Sequence, residues 1–193
     1  MNNIRNFCII SHIDHGKSTL SKKLINYYNN INCLSKIIDS INIENEKGVT
    51  IKSKNVCFEY IYNNKKYILN LIDTPGHMDF CNEVYKYIIS CEGVLLLIDS
   101  TKGIEAQTLS IYNYIKTKNI TIIIIITKID SKNSNINKTL NEIKNILNIN
   151  ENIILCSAKK NYGIKKILNN IIKLIPCPKG NINNNLKIII INF

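Results

Sequence analysis

Short apolar runs alternate with segments of helical periodicity along most of the chain. The apolar runs predict strands, and the segments between them, with apolar residues every three or four positions, predict helices. We expect strands at 6–11, 54–62, 67–73, 93–99, 121–127 and 152–157, and helices at 17–29, 80–90, 105–118, 135–147 and 164–175. This alternation predicts an α/β fold with right-handed crossovers. The later strands are almost pure Ile, Leu and Val, which is typical of a parallel sheet covered on both faces.

Two segments depart from this alternation. Only residues 63–66 separate the strands at 54–62 and 67–73, which is too short for a crossover, so we expect an antiparallel hairpin there. The segment 30–47 is polar and irregular, a pattern typical of a functional loop.

The last residues of the sequence predict a domain boundary. Pro176 and Pro178 open a polar stretch that we interpret as a linker over 176–185, and a new strand-like run follows at 186–193. We therefore expect one domain over 1–175 and the start of a truncated second domain at 186–193.

Composition changes this picture little. Ile, Asn and Lys make up just over half of the chain, whereas Arg, Ala and Gly are scarce, as an AT-biased genome would produce. The formal net charge of +11 is therefore weak evidence for nucleic-acid binding, because dedicated phosphate-binding surfaces usually enrich Arg over Lys. A hydrophobic content of 45% argues against disorder.

The sequence also argues against several classes of protein. The longest unbroken apolar runs, 94–98 and 122–126, are far shorter than the roughly 20 residues of a membrane helix, and the N-terminus does not resemble a signal peptide. The seven cysteines are odd in number and form no CxxC pair. This pattern argues against a disulfide framework or a zinc ribbon and favours a reducing compartment.

The segment from Ser11 to Ser18 carries the first candidate chemistry. It reads Ser-His-Ile-Asp-His-Gly-Lys-Ser between a strand and a helix, which fits the phosphate-loop pattern with Ser11 where Gly is preferred. Successive backbone N–H groups and the helix N-terminus would bind phosphate, Lys17 would reach the β- and γ-phosphates, and the Ser18 hydroxyl would bind Mg²⁺. We expect phosphate contacts from Asp14, His15, Gly16, Lys17, Ser18 and Thr19.

A second motif, Asp73-Thr74-Pro75-Gly76-His77, follows the strand at 67–73. Asp73 at the strand tip can hold Mg²⁺ through water, and Gly76 can donate its N–H to the γ-phosphate. His77 then falls where an imidazole can orient the attacking water.

Two further motifs follow the last two strands of the predicted domain. A carboxylate at Asp130 can accept hydrogen bonds from N1–H and the exocyclic amine of guanine, a pattern that adenine cannot match. The Lys128 stem can lie on the base, and the tripeptide 157–159 can place N–H groups near the guanine carbonyl oxygen. We expect guanine contacts from Thr127, Lys128, Asp130, Ser157, Ala158 and Lys159. Four motifs at the carboxyl ends of strands together predict a guanine-nucleotide site.

The three histidines, His12, His15 and His77, could in principle share a metal ion. No carboxylate or Cys accompanies them at ligand spacing, so we expect no metal site there.

These motifs resemble those of the translational GTPases and, among them, the elongation factor 4 (LepA) family, over essentially the whole chain. The matching segments are 4–7, 12–19, 39–40, 44–52, 69–77, 79–80, 83–84, 91–93, 103 and 105–109. The first and last of them favour elongation factor 4 over elongation factor G or BipA-type factors. The resemblance implies a Ras-like P-loop NTPase G domain, with a mostly parallel six-stranded sheet and helices on both faces. It also implies hydrolysis of GTP to GDP and phosphate on the ribosome with Mg²⁺, and a β-barrel-like second domain beginning at 186.

The resemblance further implies roles for individual residues. Thr50 completes the Mg²⁺ coordination with Ser18 and Asp73, and His77 is the catalytic histidine. Ile13 and Val49 form the apolar gate beside that histidine. Asp14 would help to place a monovalent cation such as K⁺, or the histidine itself. The only arginine precedes the first strand, so no arginine finger is expected in cis and hydrolysis should need an outside activator.

Three departures from the family and three alternatives follow. The family has several more domains after the G domain, whereas we expect this sequence to reach only the start of the second. Thr127 replaces the Asn of the family's Asn-Lys-x-Asp motif, so we expect weaker guanine binding, and Lys47 stands where the family usually has Arg. The chain could instead be the G domain of another ribosomal GTPase, or a GTP-binding regulator with little hydrolysis, against which His77 and Thr50 argue. An RNA-binding module rests only on the charge, without interleaved aromatics or Arg clusters.

The expected partners follow from this interpretation. We expect GTP, GDP and the ribosome as partners, no DNA, and a monomer. We place the protein in a bacterial cytoplasm or in the interior of an endosymbiont or organelle, with peripheral membrane association left open.

Overall fold

The computed structural model describes residues 2–31, 54–73 and 81–180. The strands are β1 (Ile4–Ser11), β2 (Lys54–Tyr62), β3 (Lys65–Asp73), β4 (Gly93–Asp99), β5 (Thr121–Thr127) and β6 (Ile153–Leu155). The helices are α1 (Lys17–Ile31), α2 (Cys81–Ile89), α3 (Ala106–Thr117), α4 (Ile136–Glu142) and α5 (Ile164–Leu174). A π-helical turn, Ile143–Leu147, continues α4 directly.

The strands of the described residues form one sheet in the order β2-β3-β1-β4-β5-β6. Neighbouring strands are parallel except β2 and β3, which form the predicted antiparallel hairpin. The mostly parallel six-stranded sheet confirms the predicted fold class. Because β1 lies between β3 and β4, the loop after β1 is adjacent to the carboxyl ends of both neighbours.

Side chains alternate between the two faces of the sheet along each strand, so apolar side chains lie on both faces. Helices cover both faces and bury these side chains. On β1, Phe7 and Ile9 belong to a core that includes α1 and α5. Cys8 and Ile10 belong to a second core that includes α2, α3 and the π-helical turn. Every residue of β4 is buried, as expected for a central parallel strand. These two cores fix the strand ends that carry the candidate motifs.

The hairpin turn is tighter than predicted. We expected residues 63–66 to form the connection, but β3 begins at Lys65 and leaves a two-residue turn of Asn63 and Asn64. Both asparagines are left-handed, with φ of 49° and 58°. Two consecutive left-handed residues match the twist of the flanking strands, and Asn tolerates this conformation better than most residues do.

The last strand is shorter than predicted at both ends. We expected 152–157, and β6 covers only Ile153–Leu155. Asn152 is left-handed, with φ of 60°, so the extended backbone starts after it. At the other end, Ser157 pairs with Tyr162 across the following turn instead of continuing β6. The turn carries residues 157–159 away from the sheet.

Several predicted features lie outside the described residues. These are the functional loop at 32–47, the residues Val49, Thr50, Gly76 and His77, the side chain of Asp73, and the expected second domain at 186–193. Within the described part of the chain, no helix combines the length and the apolar character needed to cross a bilayer.

Gly163 begins the return from this turn into α5, and its backbone excludes a side chain. Its φ is +84°, and a Cβ there would collide with the carbonyl oxygen of Leu155. We predict that Gly163→Ala lowers the free energy of unfolding by about 1–3 kcal/mol, because it adds left-handed strain to this collision. Lys165→Ala, in the exposed first turn of the same helix, is the control and should change the stability by less than about 0.5 kcal/mol. Urea unfolding measures both, and equal stabilities would contradict the strain argument.

Candidate functional site

A cleft of about 790 Å³ opens at the carboxyl ends of β1, β5 and β6. Its volume lies within the range of small-molecule sites, about 300–1,000 Å³. The lining residues come from the start of α1 and from the loops after β5 and β6: Gly16, Thr19, Leu20, Lys23, Thr127, Lys128, Asp130, Ser131, Lys132, Ala158 and Lys159. The cleft therefore brings together residues that the sequence assigned separately to phosphate and to guanine.

The loop between β1 and α1 has the backbone of an anion site. Asp14 and Gly16 have positive φ of 65° and 91°, and the His15 N–H donates to the His12 carbonyl oxygen at 3.3 Å. Nothing lies within 4 Å of where a Gly16 Cβ would be, so a ligand can approach this backbone. α1 begins at Lys17, so the N–H groups of its first turn point toward the loop.

Asp130 is held in place by the turn after β6. The Ser157 hydroxyl donates a 2.6 Å hydrogen bond to Asp130 Oδ1 and accepts one from the Lys160 N–H at 3.1 Å. The bond from Ser157 keeps the pKa of the Asp130 carboxyl below its ordinary value. An ionised carboxylate in fixed orientation is the acceptor that a pair of guanine donors requires.

Lys128 is fixed by a carboxylate that the sequence analysis did not single out. Its Nζ lies 2.8 Å from Oδ2 of Asp99, at the end of β4, and Thr101 donates to the other oxygen through its N–H and its hydroxyl. Burial raises the pKa of Asp99, but the hydrogen bonds from Lys128 and Thr101 outweigh it and leave the pKa below its ordinary value. The ion pair holds the Lys128 stem along the part of the cleft that is lined by the loops after β5 and β6.

Thr127 joins the two halves of the cleft. Its buried hydroxyl donates a 2.8 Å hydrogen bond to the carbonyl oxygen of His15 in the phosphate loop, and Ile98 O lies farther away at 3.4 Å. The single hydroxyl proton is therefore committed to the loop backbone. Guanine contact by Thr127 stays a prediction.

Glu105 brings the two histidines of the phosphate loop to one carboxylate oxygen. Its Oε2 lies 2.8 Å from His12 Nδ1 and 2.8 Å from His15 Nε2. The sequence analysis expected no carboxylate companion for these histidines, and that expectation was wrong, because Glu105 reaches them from the N-cap of α3. Burial lowers the pKa of His15, whereas Glu105, Asp99 and the Leu97 backbone act in the opposite direction.

The remaining candidate residues differ in burial and in whether the structure describes them. Lys17 is buried and Ser18 is half-buried at the start of α1, whereas Asp14 is exposed and Ile13 half-buried. Of the three predicted Mg²⁺ ligands, only the Ser18 side chain belongs to the described part of the structure.

Sequence reasoning missed Asp99 and Glu105. Asp99 could have been found by the strand-tip rule, since it ends an all-buried strand as Asp73 ends β3. Glu105 carries no comparable local signal beyond its place in the segment 105–109.

Comparison with known proteins identifies the fold family. A family model described as the elongation factor Tu GTP binding domain matches residues 2–177. The chain belongs to this family. Elongation factor 4 of Campylobacter hominis is 46% identical over 98% of this chain and 33% of its own length. The chloroplastic translation factor GUF1 homolog of Ricinus communis is 44% identical over 93% of this chain and 27% of its own length. These relatives confirm the resemblance to elongation factor 4, and the chain spans about a third of their length.

A solved structure supports the same assignment. Translation elongation factor SelB of Methanococcus maripaludis, crystallised with the GTP analogue GppNHp, is 30% identical and superposes with a TM-score of 0.66. The match covers 90% of this chain and 34% of SelB. The sheet described above is therefore that of a translation-factor G domain.

The bond from Thr127 to His15 gives a testable prediction for this G domain. Thr127→Val keeps the side-chain shape but leaves the His15 carbonyl without its donor, so we expect the free energy of unfolding to fall by about 1–3 kcal/mol. We also expect weaker GDP binding, because the phosphate loop loses its tie to β5. Thr121→Val, at the other end of β5, is the matched control. Unfolding in urea and GDP titration would refute the tie if the two variants behaved alike.

Proposed function

We propose that the chain is the G domain of a translation factor of the elongation factor 4 type, which hydrolyses GTP to GDP and phosphate on the ribosome. The observation that carries this proposal is the single cleft in which the phosphate loop meets an Asp130 carboxylate held by Ser157. An anion site and a donor-selective base site in one cavity fit a guanine nucleotide better than any other ligand class.

The phosphate end of the cleft is assigned to the loop and the first turn of α1. Backbone N–H groups of residues 14–19 bind the phosphates, and Lys17 neutralises their charge. GTPase G domains generally use Mg²⁺ with GTP, and the proposed ligand set of Ser18, Thr50 and Asp73 offers only oxygen donors, which suits that ion. When bound, Mg²⁺ would neutralise the negative charge on the phosphates as GDP leaves.

The base end of the cleft is assigned to the loops after β5 and β6. Asp130 accepts from the two guanine donors, the Lys128 stem covers the base, and the backbone of Ser157, Ala158 and Lys159 donates to the guanine carbonyl oxygen. Thr127 supports this end indirectly, because its hydroxyl holds the phosphate loop. Thr127 in place of the family's Asn therefore removes contacts to the base but keeps the hydrogen bond between β5 and the phosphate loop.

Except for Ile13, the residues assigned to hydrolysis lie outside the described part of the chain. His77 orients the attacking water, Gly76 donates to the γ-phosphate, and Ile13 and Val49 gate the histidine. The only arginine supports the need for an outside activator, because Arg5 donates to the Ile172 carbonyl at 3.3 Å and lies 5.4 Å from the Tyr67 ring centroid. Arg5, which lies within β1 and not before it as predicted, is thus committed to contacts with α5 and β3, so we expect an activating partner to complete the site.

The remaining assignments follow from the same proposal. The G domain spans 1–175 and the linker 176–185. The ribosome is the activating partner, and Asp14, exposed on the loop, is placed to attract a monovalent cation such as K⁺. A bacterial cytoplasm or an organelle interior suits both groups of relatives.

Base recognition is tested by Asp130→Asn. The Asn amide group would place a hydrogen-bond donor opposite the exocyclic amine of guanine, which is also a donor. The same amide can donate to the C2 carbonyl oxygen of xanthine. We therefore expect the preference for GTP over XTP to reverse by about a hundredfold or more. Glu59→Gln, an exposed carboxylate change on the hairpin, is the control and should leave the preference intact. Competitive nucleotide titration measures it, and an unchanged preference in Asp130→Asn would refute the base site.

Hydrolysis is tested by GTP turnover with and without ribosomes, on this chain and on a longer chain that extends beyond it. We expect slow intrinsic turnover and stimulation by ribosomes in at least the longer chain. His77→Ala should reduce the stimulated rate by about 10²–10⁴-fold while GTP affinity stays within a few-fold of the parent. Stimulated turnover that survives in His77→Ala would exclude the catalytic assignment.

A further inference from the structure

We propose that His12, His15 and Glu105 form a binding site for one divalent transition-metal ion of the Zn²⁺ class, beside the phosphate loop and separate from the nucleotide's Mg²⁺. The three side chains each offer one ligand atom, and these atoms lie within 4.8 Å of one another. Two imidazole nitrogens with one carboxylate oxygen are a donor set that Zn²⁺ uses in proteins. The proposed function assigns no role to these three side chains.

The spacing of the three atoms suits an ion after a small adjustment. The two nitrogens each lie 2.8 Å from Glu105 Oε2, whereas ligand atoms around tetrahedral Zn²⁺ stand about 3.3 Å apart. Each partner therefore has to withdraw by about half an ångström. The side chains of His12 and Glu105 are 21% and 30% exposed and have room to do so, while His15 is fully buried and fixes the site.

The hydration of the cluster favours an ion. His15 Nε2 faces Glu105 Oε2 at 2.8 Å, and the His15 side chain is fully buried. Both the His15 ring nitrogens and Glu105 Oε2 are excluded from solvent, so water does not compete for them. One divalent ion would supply positive charge beside Glu105 Oε2, an atom that is shielded from water.

The backbone around the cluster is already fixed. Thr127 holds the His15 carbonyl oxygen, as described above. On the other side, Glu142 accepts from the Ile104 N–H at 3.1 Å, and the Gly103 N–H donates to the Asp99 carbonyl at 2.8 Å. Both bonds fix the residues immediately before Glu105. Ligands on a preorganised backbone lose less entropy when an ion binds.

The donor chemistry also selects the kind of ion. Two nitrogen ligands favour Zn²⁺, Co²⁺ or Ni²⁺ over Mg²⁺, which prefers oxygen. The partial exposure of His12 and Glu105 leaves a side open for a water ligand. An ion there would clamp the phosphate loop to the N-terminus of α3 and restrict movement between them.

The test is a Co²⁺ titration of the full chain, freed of nucleotide and treated with a chelator, followed by visible absorption. We expect one Co²⁺ per chain with the intense d–d bands of a four- or five-coordinate site. Weak octahedral bands alone, or thiolate charge-transfer bands from Cys57 or Cys177, would overturn the proposal. Competition with Zn²⁺ should abolish the bands.

Two variants assign the ligands. Glu105→Gln and His12→Gln should each weaken Co²⁺ binding by at least about tenfold, whereas Glu59→Gln, an exposed carboxylate on the hairpin, should not. Zn²⁺ should raise the thermal midpoint of the parent chain and of Glu59→Gln but of neither ligand variant. Circular dichroism and GDP binding identify a variant that fails to fold, and the other ligand variant then decides. Equal Co²⁺ affinity in a folded ligand variant and the parent chain would show that the cluster is a hydrogen-bonded triad only.

Discussion

The hydrogen bond from Thr127 to His15 is the interaction on which the arrangement of the cleft depends. It connects the tip of β5 to the loop after β1, two points 112 positions apart in the chain, across the intervening tip of β4. It links the proposed phosphate end of the cleft directly to the proposed base end, in addition to their connection through the sheet. A displacement of one end would therefore shift the other.

The parts of the fold that were predictable are those dictated by local pattern. The bounds of β4 and β5 match the predicted 93–99 and 121–127. Each strand contains an uninterrupted run of Ile, Leu or Val, which is typical of a buried parallel strand. The hairpin connection and the ends of β6 were wrong, because Asn63, Asn64 and Asn152 adopt left-handed backbone that hydrophobic periodicity does not report. The errors in the hairpin and in β6 therefore lie in the turns, whereas the bounds of β4 and β5 were predicted correctly.

The candidate site was also predictable only in part. Motifs at strand tips were found because parallel strands bring their carboxyl ends to one edge, so position along the chain implies position in space. The partners that hold them were not found: Asp99 binds Lys128, and Glu105 binds the histidines, from strands or loops distant in sequence. Such contacts form only when two distant segments pack together. The spacing of residues within one segment does not predict them.

The left-handed asparagines show how a sequence poor in glycine can build tight turns. Among the described residues, six of the eight non-glycine residues with positive φ are Asn. Glycine is the usual residue at such positions, and Asn tolerates the same backbone better than most other residues do. Asn therefore supplies the left-handed backbone in turns where a side chain has room. Gly163 differs from these positions, because a side chain there would collide with the Leu155 carbonyl oxygen and Asn could not take its place.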